Sequence, residues 1–254
     1  MNLPPGPTLT ASLGAVYRGQ LSRARVARLP LLVVAAFQSL GILLLLRGVV
    51  AHGSDADLGR QQAVAGATVL VVAFVALNLL AQRFGALRAS GGLDYYAALP
   101  VRPVAVVLGT AAAFATFTVP GAVLTAVAGA LLYQLPLTGL WVLAAVLPLA
   151  GAALAGVGAA LGLLAPRQEL ATVAGQLGMT AVLFLDILPV RRLPVPLRAL
   201  RALIPGTYPA DALADSFHRA VPWGSVALDL AVCAGVAVLA LGVSTLAFRR
   251  AVAR

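Results

Sequence analysis

From Pro103 to Pro166 the chain runs for 64 residues without one Asp, Glu, Lys, Arg or His. As an unbroken helix, at about 1.5 Å per residue, this block would be roughly 96 Å long, against roughly 30 Å for the hydrocarbon core of a bilayer. A water-soluble fold must cover its surface with charge, and this block has none to offer. In lipid, by contrast, a helix satisfies its own backbone groups and needs no charge. The only break is Tyr133-Gln-Leu-Pro-Leu-Thr-Gly139, punctuated by Pro136 and Gly139. The block therefore reads as a hairpin of two long membrane helices that tilt or extend beyond the core. Pro120 and Pro148 fall mid-span, where each removes a backbone hydrogen bond and invites a kink.

The rest of the chain follows the same pattern. Of 254 residues, 61% are hydrophobic and 10% charged, well under the roughly 25% charge of soluble domains. Six stretches are long and apolar enough to cross: Leu29–Val50, Ala63–Ala81, Val104–Leu132, Leu140–Ala165, Leu170–Val190 and Val226–Phe248. The expected fold is all-α, a single polytopic membrane domain. Residues 1–28 form an N-terminal segment, 29–248 the six spans and 249–254 a tail. The first apolar run is too long for the core of a cleavable signal peptide, so it is read as retained.

The net charge of +10 comes from arginine alone, since the sequence has no Lys. These arginines gather at the ends of apolar runs, which indicates membrane orientation and not nucleic-acid binding. With the N-terminus inside, eleven lie on cytoplasmic segments, among them Arg18, Arg23, Arg25 and Arg28, then Arg83, Arg88 and Arg102, then Arg249, Arg250 and Arg254. Five others, Arg191, Arg192, Arg198, Arg201 and Arg219, fall in a long Pro-rich outer loop and weigh against that count. Both termini are expected in the cytoplasm, and the Arg-only, Ala- and Gly-rich composition suggests a bacterial cytoplasmic membrane. Ahead of the first span, Leu9, Leu13 and Val16 share a helical face opposite Arg18 and Arg25, as in a helix lying in the interface. The alternative is a disordered basic arm. Within Pro189–Trp223, leucines alternate with arginines, which fits a short surface helix or a re-entrant turn.

Motifs for chemistry are mostly missing. Without a Lys the chain cannot build a Walker-type phosphate loop, so it is not a conventional ATPase. His52 and His218 sit in different loops without a ligand cluster, and no metal or cofactor is implied. The carboxylates form no close pair suited to acid–base catalysis. Four polar residues inside the spans are candidates for the transport pathway or for cross-helix contacts: Asn78, Gln176, Asp186 and Asp229. The two aspartates lie near the outer ends of their spans, within reach of solvent or of Arg191 and Arg192. Gly158-Ala-Ala-Leu-Gly162 is a GxxxG pattern that permits close helix approach. Cys233, the only cysteine, reads as a small buried hydrophobe.

The most specific segment joins the second and third spans: Arg83-Phe-Gly-Ala-Leu-Arg88-Ala-Ser-Gly-Gly92-Leu-Asp94-Tyr-Tyr96-Ala-Ala-Leu-Pro100-Val-Arg102. A Gly pair breaks the chain, Asp94 favours a helix start and Pro100 stops it. The expected result is a short cytoplasmic helix with Leu93, Tyr95, Tyr96 and Leu99 as apolar anchors, or simply a connector. Gly92 through Arg102, running on to Val107-Leu-Gly109, resembles the segment after the second span in type 2 ABC permeases, the membrane subunits of drug, lipid and polysaccharide exporters. Leu188-Pro-Val-Arg-Arg-Leu-Pro194, with Ile204-Pro-Gly-Thr-Tyr-Pro209, is similar to that family's outer loop before the last span.

The resemblance implies an exporter subunit for drugs, antibiotics or lipid-like molecules. It also implies a second permease, identical or homologous, and a separate ABC ATPase docked on Gly92, Leu93, Asp94, Tyr95, Tyr96, Leu99, Pro100 and Arg102. Membrane lipid is the remaining partner, and catalysis in this chain is not expected. A membrane scaffold, an ATP-independent carrier and a membrane-embedded enzyme are the rival readings. A carrier should show charges near the bilayer midplane and an enzyme should show clustered acid–base residues; the sequence offers neither. Orientation is directly testable. Of two engineered cysteines, one in the Arg83–Arg102 loop and one in the Pro189–Trp223 loop, only the second should react with an impermeant reagent on intact cells. Labelling of the first alone would invert the topology.

Overall fold

The computed structural model describes residues 8–23, 33–34, 37, 40–44, 47, 56–99, 101, 103–187, 201, 203–218 and 220–252. Every regular element among them is helical. In chain order they are α1 (Leu9–Arg23), α2 (Ala56–Ala73), a π-helical turn (Phe74–Leu79), α3 (Leu80–Ala89) and α4 (Gly92–Ala98). There follow α5 (Pro103–Tyr133), a 3-10 turn (Leu137–Val142), α6 (Leu143–Leu164), α7 (Gln168–Ile187), α8 (Thr207–Ser216) and α9 (Trp223–Val252).

Four stretches are long and apolar enough to cross a membrane: Leu58–Ala89, Pro103–Tyr133, Leu137–Leu164 and Trp223–Val252. They match the second, third, fourth and sixth expected spans, and the hairpin turns at the expected break. The first expected span, Leu29–Val50, lies largely outside the described residues. The fifth coincides with α7, a 20-residue helix that carries Glu169, Gln176 and Asp186 and is not among the four. Among the described residues, four of the six expected spans are therefore found.

Leu58–Ala89 is the axis of the bundle, with 89% of its apolar window buried, whereas Trp223–Val252 has 17% of its window buried and lies at the edge. Helices in lipid gain little from burying apolar surface against one another, so small residues that let backbones meet decide which pairs pack. The GxxxG pair of α6 does this. A Cβ on Gly158 would strike the carbonyl oxygens of Leu77 and Ala76 in the π turn, and one on Gly162 would strike that of Ala81 in α3. On the opposite face Gly156 lies against the backbone of Ala240 in α9.

Threonines inside the spans turn back on their own helices. In α5 the hydroxyls of Thr110, Thr116, Thr118 and Thr125 donate to carbonyls four residues earlier at 2.7, 3.0, 2.9 and 2.8 Å. This leaves no hydroxyl proton unpaired in an apolar setting. At the far end of α5, Tyr133 Oη donates to the Leu43 carbonyl at 2.7 Å.

α1 is a helix and not a disordered arm; it packs on α5, where Gly109 admits Val16 and Leu13. The leucine–arginine alternation of the Pro189–Trp223 loop lies largely outside the described residues, and the helix described beyond it, α8, is not at the surface. Thr207, Pro209, Ala210, Ala212, Leu213, Ala214 and Ser216 are all buried, between α2, α6, α7, α9 and the 3-10 turn. It caps one end of the bundle.

The glycine contacts give a test. Gly158→Val should destabilise the chain by about 1–3 kcal/mol, because backbone cannot yield to an inserted side chain. Gly242→Ala in α9, where a new Cβ meets nothing within 4 Å, should be neutral or gain up to about 1 kcal/mol. Thermal unfolding in detergent compares the two directly.

Candidate functional site

The segment between α3 and α5 forms a helix, as its sequence suggests. α3 ends at Gly91, whose φ of 68° is left-handed; there a side chain would be strained. That turn sets the direction of α4. The Asp94 amide donates to the Gly91 carbonyl at 3.1 Å, and its carboxylate lies in the first turn, where the helix dipole favours it. Arg88, on the preceding helix, donates to the Leu163 carbonyl at the end of α6. It therefore ties α3 to α6 and needs no acidic neighbour.

The two tyrosines part company. Tyr95 is 61% exposed, and Leu99 is exposed beside it, while Leu93 and Tyr96 are buried. The rings of Tyr95 and Tyr96 meet edge to face, with centroids 5.7 Å apart. Tyr96 Oη accepts a hydrogen bond of 3.2 Å from Gln20 Nε2 of α1. Between α1 and α4 lies a groove of about 360 Å³, lined by Ala15, Val16, Gly19, Tyr95, Leu99 and Val101. Asp94 is exposed at the surface of α4 and Gly92 packs on Leu87. Pro100 and Arg102, also expected at this site, lie outside the described residues.

From α1 the contacts continue inward. Tyr17 Oη and Thr116 Oγ1 of α5 are 3.0 Å apart, and Thr116 borders a second cavity, of about 350 Å³. Ala76, Ala115, Val119, Leu147, Pro148 and Leu241 line it, so α2, the π turn, α5, α6 and α9 all contribute. Its walls are almost wholly apolar, and the hydroxyls of Thr116 and Thr118 on its rim already donate to carbonyls of their own helix. Such a space suits a hydrophobic body better than an ion.

The polar candidates fall into two groups. Asn78, buried in the π turn, donates through Nδ2 to Gln176 Oε1 of α7 at 3.3 Å and accepts at Oδ1 from Gln82 Nε2 at 3.0 Å. Gln176 ends this amide ladder on an exposed face of α7. π turns recur at functional sites because they free backbone groups and re-aim side chains. Asp186 and Asp229 belong to the other end, under α8. Asp186 is completely buried, so of the two expectations solvation does not hold for it, and Asp229 is half-buried; Arg191 and Arg192, the expected partners, lie outside the described residues. What the sequence did not single out is Arg201. It is buried and holds Asp211 with both terminal nitrogens, at 2.8 and 2.5 Å.

The ABC-2 type transporter family matches the chain over residues 14–218, which takes in most of α1, the α4 segment, both cavities' main walls and the α8 cap. No curated protein is a match.

The division of labour between the two tyrosines is measurable. Tyr96→Phe removes the hydrogen bond to Gln20 and should lower stability by about 0.5–1.5 kcal/mol. Tyr95→Phe should leave it unchanged, with denaturant titration of the purified chain as the readout.

Proposed function

The chain belongs to the ABC-2 type transporter family, and on that premise we propose that it is the permease subunit of an exporter driven by a separate ABC ATPase docked on α4. The observation that carries this reading is the outward pair Tyr95 and Leu99 on a short helix that is itself fixed from within. An exposed aromatic beside an aliphatic residue is the kind of anchor that fills a pocket on a partner. Gly92, Leu93 and Tyr96 support it from below, Asp94 offers a polar edge, and Pro100 and Arg102 continue the same segment.

ATPase closure would press on α4, and α4 has two routes inward. One runs through α3 and Arg88 into α6; the other runs through Gln20 and Tyr17 of α1 to Thr116 at the rim of the apolar cavity. Displacement of these helices would open that cavity alternately to the two sides. Its apolar lining favours drugs, antibiotics or lipid-like molecules as substrates, with the Gln82–Asn78–Gln176 ladder offering hydrogen bonds at the surface of α7. In our reading α7 and the Leu29–Val50 run complete six spans, both termini are cytoplasmic, and a second permease subunit, identical or homologous, closes the path. The membrane is bacterial and cytoplasmic. With no Lys in the chain, ATP hydrolysis belongs to the partner.

Co-expression with an ABC ATPase tests this. The tagged chain should bring the ATPase with it and should hydrolyse no ATP alone. Tyr95→Ala combined with Leu99→Ala should weaken the association by about 2 kcal/mol or more, roughly 30-fold in affinity, without lowering the unfolding temperature. If the double variant assembles and transports like the unmodified chain, α4 is only a connector.

A further inference from the structure

Under the α8 cap, the carboxyl group of Asp186 is 0% exposed, and neither of its oxygens has a hydrogen-bond partner among the described residues. The donors around it are all committed elsewhere. Arg201 donates through Nη1 and Nη2 to Asp211, at 2.8 and 2.5 Å, and through Nε to the Leu185 carbonyl at 2.9 Å. Gln62 Nε2 of α2 reaches the backbone carbonyl of Asp186 at 2.8 Å and Asp211 Oδ1 at 3.2 Å. Thr207 Oγ1 is near enough to act on the carboxyl, but its one proton has the carbonyls of Arg201 and Ile204 as competing acceptors at 2.7 and 2.6 Å. Gly206 is pressed so near that a Cβ there would come within 2.6 Å of Asp186 Oδ2 and 3.2 Å of Val182.

A carboxyl buried with so little to hold it is costly to keep as a charge, and an ionisable residue inside a span is a functional candidate by default. Among the described residues the cation beside it is Arg201, already neutralised by Asp211, and Gly206 and Val182 crowd the space that a hydrated ion would need. The smallest cation needs no such space. We propose that Asp186 is a proton-binding site, and that the bound proton latches the α8 cap onto α7 and α2. Binding is COO⁻ + H⁺ → COOH, with no other reactant. On release, the new negative charge draws Arg201 away from Asp211 or admits water, and either change loosens the segment from Arg201 to Ser216. This latch does not depend on how an ATPase docks at the opposite end of the chain.

Arg201 and Asp211 face the carboxyl from the cap. The other charged or titratable side chains described at this end are Arg60 of α2, Arg47 and Tyr133 beside it, Tyr208 and Asp215 of α8, His218 after it and Asp229 of α9; Asp229 lies within electrostatic reach of Asp211, Asp215 and Arg201. α6 has no charged residue, and Arg83 and Arg88 of α3 lie at its other end. His218 sits against Asp215, with its ring nitrogen 4.0 Å from the carboxylate, so it is the group from which Asp186 must be told apart.

The chain carries its own reporter. Its two tryptophans, Trp141 on the 3-10 turn and Trp223 at the start of α9, stack 5.2 Å apart, and both of those elements pack on α8. Titrating the full chain in lipid nanodiscs from acid to alkaline should give a reversible change in tryptophan emission. Asp186→Asn, which keeps the shape and stays neutral, should hold the acid spectrum throughout, and His218→Gln should keep the transition. A transition that survives Asp186→Asn, or that vanishes in His218→Gln, overturns the proposal. Should Asp186→Asn fail to fold, infrared spectroscopy of the Asp229→Asn chain decides. A protonated carboxylic acid carbonyl band at neutral pH is expected, and its absence overturns the proposal as firmly.

Discussion

Gly158 and Gly162 bring the backbone of α6 against the carbonyls of Leu77, Ala76 and Ala81, and much of the rest hangs from that contact. Between helices in lipid there is little hydrophobic force to exploit, so close approach and the dispersion contacts it allows must hold the pair together. The grip falls on the π turn and on α3. It therefore fixes the most buried helix of the bundle, sets where Asn78 can aim its amide, and determines where α3 ends. Arg88 reinforces the same seam by reaching the Leu163 carbonyl. α4 follows α3 after the turn at Gly91, so the placement of Tyr95 and Leu99 at the surface derives from two glycines in a different helix.

Around this seam the molecule divides its polar groups by end. At one end α1 and α4 share a groove and a hydrogen bond, and α1 extends that contact to Thr116 beside the apolar cavity. At the other, α8 brings Arg201 and Asp211 over Asp186 and Gln62. The middle is almost free of charge, so neither end disturbs the other electrostatically. Whatever passes between them must pass through packed helices. Such coupling acts through elements with alternative arrangements, and α1 with α4 at one end and the α8 cap at the other are the pieces least embedded in the glycine seam.

How much of this the sequence disclosed depended on whether the signal was local. The uncharged block from Pro103 to Pro166, broken at Pro136 and Gly139, was sufficient for the α5–α6 hairpin. Length and apolar content likewise placed Trp223–Val252 within four residues at each end and found the middle of Leu58–Ala89, though Ala63–Ala81 stops five and eight residues short of its ends; the Gly pair with Asp94 placed α4. Facing was another matter. Tyr95 and Tyr96 are one step of about 100° apart on a helix, so they point to different sides. Which of them turns inward depends on Gln20, 76 residues away in sequence. Arg201 likewise read as one of five loop arginines, and only the folded α8 shows it buried against Asp211. The partners of Gly158 and Gly162 were also out of reach, because in a chain with 25 glycines spacing alone does not distinguish a contact from chance.

On the proposed function, this chain carries apolar molecules across a membrane at the expense of ATP hydrolysed by another subunit. The most direct measurement is uptake of a hydrophobic fluorescent compound into inside-out vesicles containing the chain, its ABC ATPase, or both. The account predicts ATP-dependent accumulation only when both are present, and none when an ion gradient replaces ATP. Accumulation by the chain alone, or accumulation driven by the gradient without nucleotide, would contradict it.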